Sequence, residues 1–274
     1  MKTKIIGALA LAGSMAFNTA AVANETISVV GSSSVTPLME VFGETYSNTN
    51  SNVFVEVQGP GSSAGIRAAK DGSADLGMSS RNLKDSEKSE DLIEVVVARD
   101  GIAVVVHNNN PVNDLSKEDV TKIYKGEITN WKQVGGEDKP IVVVTRDTAS
   151  GTRGAFEDIM SLKKKINDIK VSAISQRAQV ASGNGQLKTT VANNPFAIGY
   201  ISLGTVDNSL KAVAIDGRKP SVENIKSGEY QVQRPFLVLY QASRINPTTK
   251  TFMDWTLSDE AQKLVAAKGY IAIN

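Results

Sequence analysis

The residues best placed to do chemistry lie together in Thr145-Arg146-Asp147-Thr148-Ala149-Ser150-Gly151-Thr152-Arg153. Ser150 and Thr152 carry hydroxyl donors, Gly151 lets a ligand approach the backbone, and Arg146 supplies a planar fork of N–H groups. An apolar run, Ile141 to Val144, precedes the stretch and predicts a buried strand, and Gly154 to Met160 after it predicts the start of a helix. The first amides of a helix have no intrahelical partner, and the helix dipole adds positive charge at that end. Strand, small-residue turn and helix therefore make a seat for an anion. An ordinary Ser/Thr N-cap uses the same residue types, with the arginine incidental.

Similar segments recur along the chain. Ile27 to Val30 predicts a strand, followed by Gly31-Ser32-Ser33-Ser34-Val35-Thr36-Pro37 and a helix from Leu38 to Tyr46, with Pro37 in its first turn. Val53 to Val57, then Gly59 to Gly65, then a helix from Ile66 to Lys70 repeats the design. Ala74 to Met78 leads into a fourth polar turn, Ser79-Ser80-Arg81. In open α/β sheets such strand ends gather where ligands bind. Further strands are expected at 92–98, 101–106, 197–201, 213–215 and 236–240. Helices are expected at 116–124, 186–192, 247–257 and 258–267, with a lysine-rich helix after Thr152 that includes Lys163-Lys164-Lys165 as a solvated face. Alternating strands and helices give the α/β class.

Composition narrows the function. Residues 1–23 have the form of a secretory signal: Lys2 and Lys4, an apolar run from Ile5 to Phe17, and Ala21-Val22-Ala23 as cleavage site. The chain of 274 residues has 30 Lys and Arg, 29 Asp and Glu, one His and no Cys. Near-neutral charge argues against nucleic acid as a partner. The absence of Cys leaves no disulfide and no lipid-modified thiol, so a soluble exported protein is expected. A secreted phosphatase would need a metal cluster or an activated nucleophile, and a single His, His107, makes both improbable. No cofactor or metal is expected.

The polar turns, together with Asp100 to Val106, Gly126 to Trp131 and Ala197 to Tyr200, resemble the phosphate-binding proteins of bacterial phosphate ABC transporters. The resemblance covers essentially the whole chain after the signal. It implies a two-lobed periplasmic-binding-protein fold, type II-like, with phosphate held in the inter-lobe cleft. Lobe one would comprise 24–103 plus 237–274 and lobe two 104–236, with 101–106 and 236–240 as candidate crossing strands. It further implies a monomeric periplasmic protein whose partners are inorganic phosphate and an inner-membrane permease. By position, Ser33 and Ser34 would be ligands from the first turn, Ser62 and Ser63 from the second, Ser80 and Arg81 from the third, and Arg146, Ser150, Gly151 and Thr152 from lobe two. The sequence departs from the family at one point. Some members carry Asp in the turn after Leu-Gly-x-Ser, where it accepts the proton of phosphate, and this chain has Ser80 there. Asp147 is the nearest acid in the ligand turns, either as proton acceptor or as orienter of the Arg146 fork. A sensor or adhesin on the same fold, or a site for another oxyanion such as sulfate, are the alternatives.

Overall fold

The computed structural model describes residues 24–274, so the expected signal at 1–23 lies outside the described residues. The first elements are β1 (Glu25–Gly31), α1 (Thr36–Thr49), β2 (Val53–Gln58), α2 (Ser62–Asp71), β3 (Leu76–Ser79) and β4 (Leu92–Val106). Then come β5 (Asp114–Leu115), α3 (Lys117–Lys125), β6 (Val142–Arg146), α4 (Gly151–Ile159), β7 (Lys163–Ile166), β8 (Ile169–Ser172), β9 (Gln179–Ala181) and α5 (Asn184–Ala192). The chain finishes with β10 (Ala197–Ser202), β11 (Lys211–Ala212), β12 (Ala214–Ile215), α6 (Val222–Lys226), β13 (Gln233–Gln241), α7 (Pro247–Thr256) and α8 (Asp259–Ala267).

One mixed sheet runs β2-β1-β3-β13-β4-β10-β6-β9 through the whole molecule. Its spine is β4. The first part of β4 pairs antiparallel with β13, from Leu92 opposite Gln241 to Gly101 opposite Gln233, and the rest pairs with β10. The expected strands 92–98 and 101–106 are thus one strand, and 236–240 lies opposite 93–98.

The side chains of β4 explain the two-lobed shape. Val97 and Ala98 enter a core with Phe42 and Met39 of α1, Phe252 of α7 and Val265 of α8. From Ile102 onward every residue is buried, because both faces are covered. Ile102, Val104 and Val106 meet Tyr124, Phe156 and Tyr200 on one face. Ala103 and Val105 meet Leu187 and Val191 of α5 on the other. This alternation is the two-residue period of a strand between two layers. Val232 joins the second lobe's core and Phe236 the first, so both crossing strands change sides within a few residues. Aromatic pairs stiffen each lobe: Tyr46 lies 5.1 Å from Phe252, and Phe156 stacks on Tyr200 at 4.0 Å.

Helix ends follow their capping residues. Ser116, Ser150, Asn246 and Ser258 accept from backbone amides at the starts of α3, α4, α7 and α8. The lysine-rich helix is not formed. Lys163 to Lys165 belong to a hairpin of β7 and β8. Three successive lysines supply no apolar stripe for a helix, and Asn167 and Asp168, at φ 47° and 63°, take the left-handed turn that joins antiparallel strands.

Candidate functional site

The turns after β1, β2, β3 and β6 meet at one place, with the start of α5 and the start of β13 beside them. Close backbone packing sets the first turn. A Cβ on Gly31 would lie 2.2 Å from the Met78 carbonyl oxygen, and the Ser32 amide donates to that same oxygen at 3.1 Å. Of the three serines that follow, Ser33 and Ser34 are thereby aimed across the cleft. Ser33 Oγ accepts from Arg146 Nη2 at 3.1 Å. Ser34 Oγ accepts from Asn184 Nδ2 at 2.9 Å and lies 2.9 Å from Thr152 Oγ1. Ser32 Oγ donates to Ser80 Oγ at 2.8 Å. Ser62, the first residue of α2, accepts from the Ser80 amide at 3.1 Å. The lobes also touch through the Ser63 amide, which donates to the Ala149 carbonyl at 3.1 Å.

Arg146 is the electrostatic centre. It ends β6 and is only 1% exposed. Its Nε donates to the Ala181 carbonyl, Nη1 to Asn184 Oδ1 and Nη2 to the Ser182 carbonyl and Ser33 Oγ, at 2.9–3.2 Å. All four acceptors are neutral. Burial pulls the guanidinium down from its ordinary value, opposed by the nearby Asp147 charge. Tyr200 and Arg153 fix its backbone: the Arg146 amide donates to Tyr200 Oη at 3.3 Å, and Arg153 Nη1 donates to the Arg146 carbonyl at 2.7 Å. A buried cation without a carboxylate partner is costly unless an anion is brought to it.

The structure gathers Ser33, Ser34, Ser62, Ser80, Arg146, Gly151 and Thr152 into this cluster. Other candidates point elsewhere. Arg81 is held by Glu87 through both terminal nitrogens, at 2.7 and 2.8 Å, and its remaining contacts are the Asn82 carbonyl and Ser63 Oγ. The Ser63 hydroxyl therefore faces Arg81. The Ser150 hydroxyl caps α4, accepting from the Arg153 amide, and its own O–H stays free to donate toward the cluster. Asp147 Oδ1 accepts from the Ala149 amide at 2.8 Å, a local Asx turn, and the Arg146 fork is oriented by Asn184 and two carbonyls instead. Asp147→Asn keeps that turn acceptor. It is expected to leave anion affinity within about threefold of the parent by calorimetry, without separate effects on different oxyanions. A larger change, or one specific to a single anion, would put the carboxylate back in the mechanism.

Three further residues belong to the cluster: Ser32, Asn184 and Arg234. Asn184 opens α5 and is buried. Arg234, 3% exposed, is the second residue of β13 and donates from Nη1 to Ser80 Oγ at 3.3 Å. Its Nε and Nη2 are bound by Asp100 Oδ2 at 3.2 and 2.9 Å.

A model of the PBP superfamily domain matches residues 18–260. The phosphate-binding protein PstS of Borreliella burgdorferi is 30% identical over 278 residues, which span 100% of this chain and 99% of that protein. Among solved structures, an ABC-type phosphate transport receptor from Vibrio cholerae superposes with a TM-score of 0.77 at 44% identity, covering 90% of this chain and all of that one. A protein from Clostridium perfringens, described as a phosphate ABC transporter substrate-binding protein and solved with bound phosphate, gives 0.86 at 42% identity over 91% of this chain. The match to PstS runs end to end, and the two-lobed frame is shared with both solved structures. The chain belongs to the phosphate-binding PstS family of the PBP superfamily.

Proposed function

We infer that this protein captures inorganic phosphate between its two lobes and hands it to an ABC-type membrane permease for import, acting in the periplasm as a binding protein and not as an enzyme. Arg146 carries this reading. It is a buried guanidinium with only neutral partners, ringed by hydroxyls from both lobes, and a small tetrahedral anion would satisfy its charge and the hydroxyls together. We place the lobe division where the cores change over, between Ala98 and Ile102 on β4 and between Val232 and Phe236 around the start of β13. This lies a few residues before the division expected at 103/104 and 236/237. Ser33, Ser34, Ser62 and Ser80 then belong to one lobe, and Arg146, Gly151, Thr152 and Asn184 to the other. An anion held by both sets favours the closed arrangement, because only there are all donors within reach.

Titration calorimetry with inorganic phosphate tests the capture step. One-to-one binding is expected, together with a fall in radius of gyration by small-angle scattering. The delivery step is tested by phosphate uptake in cells deleted for the gene and complemented by it. Absence of binding at millimolar phosphate would refute the reading.

A further inference from the structure

The hydroxyls of the cleft share a pattern. Four serines have an N–H donor directed at their oxygen: Arg146 Nη2 at Ser33, Asn184 Nδ2 at Ser34, the Ser80 amide at Ser62 and Arg234 Nη1 at Ser80, whereas Thr152 Oγ1 meets only Ser34 Oγ. An N–H so placed occupies a lone pair and turns the hydroxyl proton outward. Ser80 is the extreme case, since Ser32 Oγ also donates to it. With both lone pairs taken, Ser80 can only donate.

Two acids lie near the cluster, and each has one oxygen bound away from the cleft hydroxyls; Asp100 Oδ1 is buried without a partner. Asp147 accepts from the Ala149 amide. Asp100 receives two hydrogen bonds from Arg234, which stands directly opposite it in the pairing of β4 with β13. Among the described residues, no carboxylate hydrogen-bonds to any of these cleft hydroxyls.

We propose that Arg234 is a specificity-determining residue of the anion site: anchored by Asp100, it fixes Ser80 as a donor, so that Ser80 does not read a ligand proton and the site favours tetrahedral dianions. This rests on the anion-site reading above. It follows that monohydrogen phosphate binds in preference to dihydrogen phosphate, and that sulfate, having the same charge and shape, competes. A site with a dedicated proton acceptor behaves differently. It leaves that acceptor unpaired against sulfate and discriminates by about 10⁴–10⁵.

The charged and titratable groups facing Arg234 are Asp100 from β4, Arg146 from β6, Tyr200 from β10 and Tyr270 beyond α8. Burial raises both tyrosines, Tyr200 to about 12, so neither titrates near neutrality. Burial also pushes the Asp100 carboxyl up, while the Arg234 charge opposes the rise. Sulfate separates a protein group from the ligand's own proton, because it has none to lose near neutrality.

The test is calorimetry with phosphate and with sulfate between about pH 6 and about pH 8. For the parent protein, phosphate affinity is expected to rise about tenfold across this range while sulfate affinity stays level, following proton linkage. Sulfate is expected within about 100-fold of phosphate at the upper end, far short of proton-reading discrimination. Arg234→Lys keeps a cation for Asp100 but has no fork to reach Ser80, so the freed lone pair can accept a proton. Its phosphate affinity should depend less on pH, and its sulfate-to-phosphate ratio should fall. A purely structural role for Arg234 would scale both anions alike and leave the pH profile unchanged. If Arg234→Lys does not fold, Ser80→Asp serves in its place: a carboxylate there adds an acceptor, so sulfate should weaken far more than phosphate and the pH slope should fall, and unchanged selectivity and slope would overturn the proposal. Sulfate rejection of 10⁴-fold or more by the parent, or phosphate affinity that falls with pH, would overturn the proposal. Absence of phosphate binding altogether would instead count against the anion-site reading.

Discussion

Gly151→Ala is expected to lower phosphate affinity by about 5- to 150-fold and to prevent compaction on binding. A Cβ at this position would lie 2.1 Å from Ser62 Oγ, 2.8 Å from Ser62 Cβ and 2.6 Å from Ser80 Oγ. Gly151 opens α4 in one lobe, and both serines belong to the other. The added methyl therefore sits between two surfaces that close on each other. Rotating one hydroxyl does not relieve the overlap, because Ser62 Cβ is also too near. Overpacking of this kind costs about 1–3 kcal/mol, which gives the stated range of affinity. Each lobe should fold normally, since the clash exists only between them. Gly185→Ala is the matching control: nothing lies within 4 Å of its Cβ, and alanine suits the first turn of α5. Scattering and calorimetry on the two variants decide the matter. Parent-like affinity in Gly151→Ala would mean that the bound state does not use the Ser62–Gly151 approach.

Arg146→Ala is expected to lose about 10- to 150-fold in phosphate affinity while remaining folded. The side chain is the buried cation whose hydrogen-bond acceptors are all neutral, so its charge is available to a ligand. A hydrogen bond to a charged group contributes about 1.5–3 kcal/mol, which sets the range. Removal leaves Asn184 and two carbonyls short of a donor, but it also removes the cost of burying a cation without a carboxylate, and these effects oppose each other. Thermal denaturation gives a sharp readout. A ligand that binds only the folded state raises the midpoint in proportion to RT ln(1 + [L]/Kd), so the phosphate-dependent increment should shrink markedly. An unchanged increment in a folded variant would remove Arg146 from the site.

The most legible part of the chain was the turn after β6. There the apolar strand, the small residues and the arginine are adjacent in sequence, so their chemistry can be seen before they fold. The turns after β1, β2 and β3 share that property. Arg234 and Asn184 do not. Each is a single polar residue at the start of a regular element, where caps and strand ends are ordinary, and only pairing at long range brings them in. Arg234 reaches Ser80 because β13 is placed beside β4 with Asp100 opposite it. The same pairing explains why β4 was split in the sequence. Arg99-Asp100 interrupts the apolar run, yet Asp100 Oδ2 binds Arg234 and the strand continues through it. Asp147 was harder to read for the opposite reason. Its neighbourhood to Arg146 in sequence suggested a pair, whereas a local amide satisfies it first.

The placement of β13 also orders the assembly of the chain in time. This strand lies between β3 and β4, so Ser79 waits for Leu237 and Leu92 waits for Gln241. Until the last quarter of the polypeptide is present, β3 presents an open edge and the first lobe has only part of its core. Closing so long a loop costs conformational entropy before any contact repays it, so this lobe is expected to be the slower of the two to fold. The second lobe draws strands β6, β9 and β10 and helices α3 to α5 from the middle of the chain, so most of it can consolidate earlier, with Val232 and Ile271 joining its core late. An exposed edge beside an unfinished core is also where chains pair with one another, so the interval before β13 docks is the period of greatest aggregation hazard.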